Sequence, residues 1–93
     1  MNTYKYDQEK PRLDLVPPAI IESVGIICDY GAKKYEENSW KKVEPKRYKA
    51  AMMRHLVEYL RDENSVDEES GYPHLWHLAC NVAFLCEFME VRK

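Results

Sequence analysis

The sequence has no run of apolar residues approaching the roughly 20 that a bilayer-spanning helix needs. It also lacks a signal-peptide pattern, so the expected location is cytoplasmic, the host cytoplasm if the chain is phage-encoded. Cysteine is sparse and poorly placed for pairing: Cys28, Cys80 and Cys86 are odd in number and lack CxxC spacing. They read as buried thiols in a reducing compartment, not as a disulfide framework or a zinc site. The signatures of several enzyme classes are missing as well: no glycine-rich phosphate loop, no GxSxG, no HExxH. No alternating run marks a strand, and there is no internal repeat or low-complexity tract. A net charge of only −2 argues against a general polyanion binder. The basic segment lacks the pattern of a nucleic-acid reader. Neither nucleic acid nor membrane is an expected partner.

What remains is a short chain built for helices. Its 93 residues make one domain with a modest core, yet 45% of them are apolar. The expected class is all-α: a small three-to-four-helix bundle assembling as a homo-oligomer. Residues 1–16 read as an extended N-terminal arm and 17–93 as the helical domain. A first helix starts at Pro17 or Pro18, a favoured first-turn residue, and continues to about Glu36. Residues Asn38, Ser39 and Trp40 form a loop. A second helix begins at Pro45 and ends near Asp62. Breakers Asn64, Ser65, Ser70 and Gly71 mark the next loop, and Pro73 opens a third helix to about Val91. That last helix is apolar almost all round, with only Glu87 and Glu90 marking a wet face. Three helices cannot easily bury it, which is the reason to expect a homo-oligomer with this helix at the interface.

The stretch from Arg54 to Asn81 carries the chemistry. Residues three or four apart share a helix face. His55 and Glu58 are so placed on the second helix, His55 inside its apolar stripe, Arg54 and Glu58 along its edge. His74, His77 and Asn81 share a stripe of the third. The loop between holds Asp67, Glu68, Glu69 and Ser70. An unpaired buried polar group costs roughly 1–3 kcal/mol. On the two stripes, His55, Glu58, His74, His77 and Asn81 therefore need partners: each other, a metal, or a ligand.

Charge is segregated. From Lys33 to Arg54 eight basic residues face three acidic ones, and from Glu58 to Glu69 six acidic residues face one arginine. This suits a metal–polyphosphate ligand, with lysines for phosphate and carboxylates for the cation. It equally suits two solvated faces that attract one another. In the arm, alternation places Lys10, Arg12 and Asp14 on one side of an extended segment. Either Lys10 and Arg12 lie over a phosphate, or Leu13 and Leu15 dock the arm on the bundle. Trp40 beside lysines reads as a stacking surface for a purine or as a lid over the core.

Five pieces then combine: K-P-R-L-D-L-V-P-P, Y-G-A-K-K-Y, N-S-W, R-Y-x-x-A-x-x-R-H and D-x-E-S-G-x-P-H-L-x-H-x-x-C-N. Their order and spacing, over Lys10 to Phe88, resemble the phage-type dATP/dGTP diphosphohydrolase N-terminal domain. That family is similar to the MazG-like all-α nucleotide pyrophosphatases. The resemblance implies a helical oligomer that removes pyrophosphate from a purine deoxynucleoside triphosphate with Mg²⁺ or Mn²⁺. MazG-like enzymes hold metal through E-x-x-E and E-x-x-D pairs. Here His55-x-x-Glu58 and His74-x-x-His77 stand at similar places, and Asp67 and Glu69 would supply the missing carboxylates. Histidine suits Mn²⁺ better than Mg²⁺, which prefers oxygen.

The expected site follows. Glu58, Asp67 and Glu69 are metal ligands; Glu69 is also catalytic, and His55, His74 or His77 serves as general base or ligand. Lys10, Arg12, Lys33, Lys34 and Arg54 hold phosphates. Trp40 or Tyr35 stacks the base, and Asn81 reads an edge of base or sugar. The alternative is a non-hydrolytic sponge sequestering a nucleotide or signalling nucleotide, which the histidine-for-carboxylate departures favour. A helical oligomer without ligand is the third reading.

Overall fold

A computed structural model describes residues 9–91. Three helices account for most of it: α1 (Ala19–Lys34), α2 (Pro45–Arg61) and α3 (His74–Val91). No named strand occurs among the described residues, in line with the all-α expectation.

The ends of α1 and α2 follow from local chemistry. Pro18 caps α1, and Lys33 and Lys34 sit in its last turn, where the helix dipole favours cations. Gly31 does not end α1; Tyr35 does, leaving the helical basin at φ −115°, ψ −88° while its N–H still reaches the Gly31 carbonyl at 2.9 Å. The helix thus ends two residues earlier than the sequence suggests. Pro45 occupies the first turn of α2, where its missing N–H costs nothing. Extended backbone at Asp62 closes that helix, and the Asp62 N–H bonds the Glu58 carbonyl at 3.1 Å.

The connections differ from plain loops. Ser39–Lys42 is a 3₁₀ turn entered through Asn38, a residue type that tolerates its left-handed φ of 61°. Between α2 and α3 the backbone folds back on itself. Asp67 N–H bonds the Tyr72 carbonyl at 2.8 Å, Gly71 N–H bonds the Asp67 carbonyl at 2.8 Å, and His74 N–H bonds the Ser65 carbonyl at 3.1 Å. An isolated antiparallel bridge pairs Val66 with Pro73. The loop is therefore a small, tied framework.

In the N-terminal arm, Met1 to Gln8 fall outside the described residues. Leu13–Leu15 forms a 3₁₀ turn in place of the expected extended run. Leu13 and Leu15 are exposed, so they do not cover the bundle.

Helix α3 is the floor: α1 and α2 both pack mainly on it and touch one another little. A broad cleft of about 930 Å³ consequently opens between α1 and α2 above α3. Where α1 meets α3, the Cys28 and Cys80 sulfurs lie 3.8 Å apart. Cys80 is buried, Cys28 half-buried and Cys86 exposed, so only the first two fit the expected buried thiols. At the far end of α3, Trp40 stacks on Phe84 at 4.4 Å and 8°, and Tyr48 packs edge-on to Phe84 at 5.1 Å. Tyr48 donates its hydroxyl to the Trp40 carbonyl at 3.0 Å. Apolar burial is otherwise thin. Ile27 and Cys80 are the apolar residues that reach full burial among those described, while Ile21, Leu60 and Met89 are each about 70% exposed.

Candidate functional site

The α2–loop–α3 corner gathers three histidines. His55 Nδ1 and His74 Nδ1 are 2.8 Å apart, so one ring donates a proton and the other accepts it. The His77 ring stacks on His55 at 4.7 Å and 12°. His77 Nε2 lies 2.7 Å from Ser70 Oγ, which also accepts the Tyr72 N–H at 3.1 Å. Tyr30 of α1 presents its ring edgewise to both Tyr72 and His77.

Asp67 reaches this cluster from the loop. Its Oδ2 accepts N–H bonds from Glu69 at 3.1 Å and Ser70 at 2.9 Å. Neither bond uses Oδ1. Among the described residues, His55, Asp67 and His74 form one group of metal-capable side chains whose ligand atoms all lie within 4.8 Å of one another.

The electrostatics keep the His55 and His77 rings neutral. Burial first, then the positive potential of His77 and His74, pushes His55 down to about 4. Burial likewise lowers His77, outweighing the opposing pull of Asp67. Burial pushes the Asp67 carboxyl up, but the Ser70 N–H bond and the adjacent His77 and His55 more than offset it, so its pKa is lowered. At neutral pH the neutral rings of His55 and His77 thus lie beside an ionised Asp67 carboxylate.

Two openings meet here. The cleft between α1 and α2 is lined by His55, His77 and Asn81 on one side and by Tyr35 and Trp40 on the other. A second hollow of about 490 Å³ lies outside α2, bordered by Arg54, His55, Glu58, Arg61, Asp67 and His74. Arg54 and His55 border both.

The remaining expected site residues are dispersed. Glu69 pairs with Lys34, tying the loop to the end of α1, and Glu58 pairs with Arg61 at 2.9 Å. Of the three expected metal ligands, Asp67 alone belongs to the His55–Asp67–His74 group. Arg12 holds Asp14 through two bonds of 2.9 and 2.7 Å, both side chains exposed. Lys33 pairs with Asp29 at 2.9 Å along α1, both side chains exposed, and Lys10 is exposed. Trp40 gives one ring face to Phe84, as a lid does, whereas Tyr35 is 70% exposed at the cleft. Asn81 is buried and donates Nδ2 to the His77 carbonyl at 2.8 Å, which leaves its Oδ1 as an acceptor.

Sequence reasoning passed over two residues. Ser70 reads in the sequence as a loop breaker, yet its hydroxyl fastens His77. Arg47 lines the cleft with Arg54; the two are two helical turns apart, and that seven-residue spacing was the available signal.

Comparison with known proteins gives two findings. Residues 2–93 match the family model described as dATP/dGTP diphosphohydrolase, N-terminal. A "dATP/dGTP diphosphohydrolase" of Salmonella phage PMBT28 is 33% identical over 85 residues, covering 91% of this chain and 29% of that relative. The chain thus spans less than a third of that curated relative's length. No solved structure matches.

Proposed function

The chain belongs to the dATP/dGTP diphosphohydrolase N-terminal family, and from that premise we propose that it hydrolyses a purine deoxynucleoside triphosphate to monophosphate and pyrophosphate with a divalent metal. The observation that carries this reading is the meeting of His55, His74, His77 and Asp67 at the wall shared by a basic-edged cleft and a second opening.

Cleft dimensions suit a nucleotide, since small-molecule pockets commonly enclose about 300–1,000 Å³. In this reading Arg47 and Arg54 bind phosphate oxygens, for which the guanidinium fork is well shaped. Tyr35 offers an exposed ring to the base. Asn81 Oδ1 accepts from the exocyclic amine that adenine and guanine both carry. Water attacks the α-phosphorus, the bond to the oxygen bridging to the β-phosphorus breaks, and one proton must leave the water. His77, neutral because burial lowers its pKa, is the base in reach of that proton, held in place through Ser70. Asp67, with His55 and His74, would hold a divalent ion, which would supply Lewis-acid charge to the phosphate oxygens and lower the pKa of bound water. The reading also has the domain act as a homo-oligomer, because its apolar side chains are left so largely uncovered.

The test is incubation of purified protein with a dNTP and NTP panel plus Mg²⁺ or Mn²⁺, read by chromatography, with sedimentation on the same preparation. Monophosphate and pyrophosphate from dATP or dGTP, made by a multimer, are expected. Intact nucleotides recovered from a protein that binds them would replace hydrolysis by sequestration. A monomer at micromolar concentration would remove the oligomer.

A further inference from the structure

We infer that His55, Asp67 and His74 form a binding site for a first-row divalent ion between Mn²⁺ and Zn²⁺, such as Co²⁺, with Mg²⁺ and Ca²⁺ strongly disfavoured. The inference deepens the proposed hydrolysis and rests on it only for its biological use.

The distances fit one ion. Two ligands about 2.1 Å from a common metal stand roughly 3.0–3.4 Å apart for cis-octahedral or tetrahedral geometry. His55 Nδ1 and His74 Nδ1 are at 2.8 Å, so an ion replaces their shared proton with little movement. Asp67 completes a set spanning no more than 4.8 Å. Its orientation is already set, because Oδ2 takes two backbone N–H groups while Oδ1 is not engaged in those bonds. The His55 ring is held from the other side by its stack on His77. Outer contacts of this kind orient ligands and raise affinity in known metal sites.

The donor set decides the class. Two imidazoles and one carboxylate suit Mn²⁺, Fe²⁺, Co²⁺ and Zn²⁺. Mg²⁺ wants near-octahedral oxygen, and Ca²⁺ wants six to eight oxygens. The nearby carboxylates do not correct the balance, since Glu58 and Glu69 are paired with Arg61 and Lys34. Three protein ligands leave positions open toward the 490 Å³ hollow, whose border includes Arg54 and Arg61. Water or phosphate oxygens would enter there.

Position in the chain adds a consequence. One ligand comes from α2, one from the loop and one from the first residue of α3. Binding therefore cross-links three segments and should stabilise the fold by linkage.

The experiment uses metals alone, with no nucleotide. Metal-stripped protein is titrated with Co²⁺, followed by visible absorption and calorimetry, then with Mn²⁺, Zn²⁺, Mg²⁺ and Ca²⁺. A one-to-one Co²⁺ spectrum and at least 100-fold weaker Mg²⁺ binding are expected. His74→Ala and Asp67→Asn should each weaken Co²⁺ binding 10-fold or more with an unchanged helical circular dichroism spectrum. Glu58→Gln should leave it unchanged. Equal affinity for Mg²⁺, or loss on Glu58→Gln with His74→Ala unaffected, would overturn the inference. If His74→Ala does not fold, Asp67→Asn decides. Strong Co²⁺ binding without nucleotide hydrolysis would remove the proposed reaction and keep the site, whereas hydrolysis supported equally by Mg²⁺ with no Co²⁺ spectrum would do the reverse.

Discussion

The two ends of the α2–α3 pair are held by opposite means. At one end Trp40, Tyr48, Phe84 and Phe88 pack ring on ring, with a single hydroxyl bond from Tyr48 to the Trp40 carbonyl. At the other, His55 bonds His74 and stacks on His77, while Ser70 links His77 to Asp67 around a tied loop. Apolar contact favours folding with no partner besides itself. The polar cluster roughly breaks even, because each bond made replaces one to water. A protein that needed only a stable turn would put leucines there. The difference separates the end that holds the bundle together from the end to which the proposed chemistry is assigned.

The sharpest way to test that division is Phe84→Ala. The ring stacks on Trp40 and meets Tyr48, so its loss removes contacts on two sides. Truncating a buried Phe costs about 3–5 kcal/mol, and this one is half-buried, so about 2–3 kcal/mol is expected. Urea denaturation of metal-free protein measures it. A loss under about 1 kcal/mol would show that the aromatic end is not the anchor.

A smaller effect is expected at the polar end from Gly71→Ala. Gly71 has φ +77°, and its N–H closes the turn onto the Asp67 carbonyl. An added Cβ meets nothing within 4 Å, so the cost is backbone strain alone, about 1–2 kcal/mol. The loop carries Asp67, so the substitution should weaken metal affinity as well as stability. Unchanged affinity in a destabilised variant would mean that the loop framework does not position the carboxylate.

This contrast also marks how far the sequence could be read. Helix α2 was legible nearly to the residue, because Pro45 and the apolar period are local signals. The histidine corner was legible as a set of faces, since i,i+3 spacing places His74 and His77 together. Which carboxylate joins them was not. Asp67, Glu68 and Glu69 are consecutive and chemically alike, and the choice falls to loop backbone bonds that pin Asp67 and to Lys34, which takes Glu69. Trp40 was ambiguous for a related reason: its partner Phe84 lies 44 positions away, beyond any helical period. The 3₁₀ turn at Leu13–Leu15 is not legible because backbone bonds close it, Leu15 N–H to the Arg12 carbonyl and Val16 N–H to the Leu13 carbonyl, and these leave no side-chain pattern.

The last test expects almost no effect on stability. Replacing His55 and His74 together by Phe removes both members of the 2.8 Å pair and leaves neither nitrogen orphaned. Exchanging both partners of a buried polar pair for apolar groups is near neutral, so the shift should stay within about 1 kcal/mol, measured with chelator present. His55→Phe alone should cost about 1–2 kcal/mol more than the double variant, because His74 Nδ1 then loses its partner. Metal binding should vanish in both. A double variant destabilised as much as Phe84→Ala would mean that the histidines are structural and that the two ends do the same job. A double variant that is intact yet cannot bind metal would place the corner's role wholly in its chemistry.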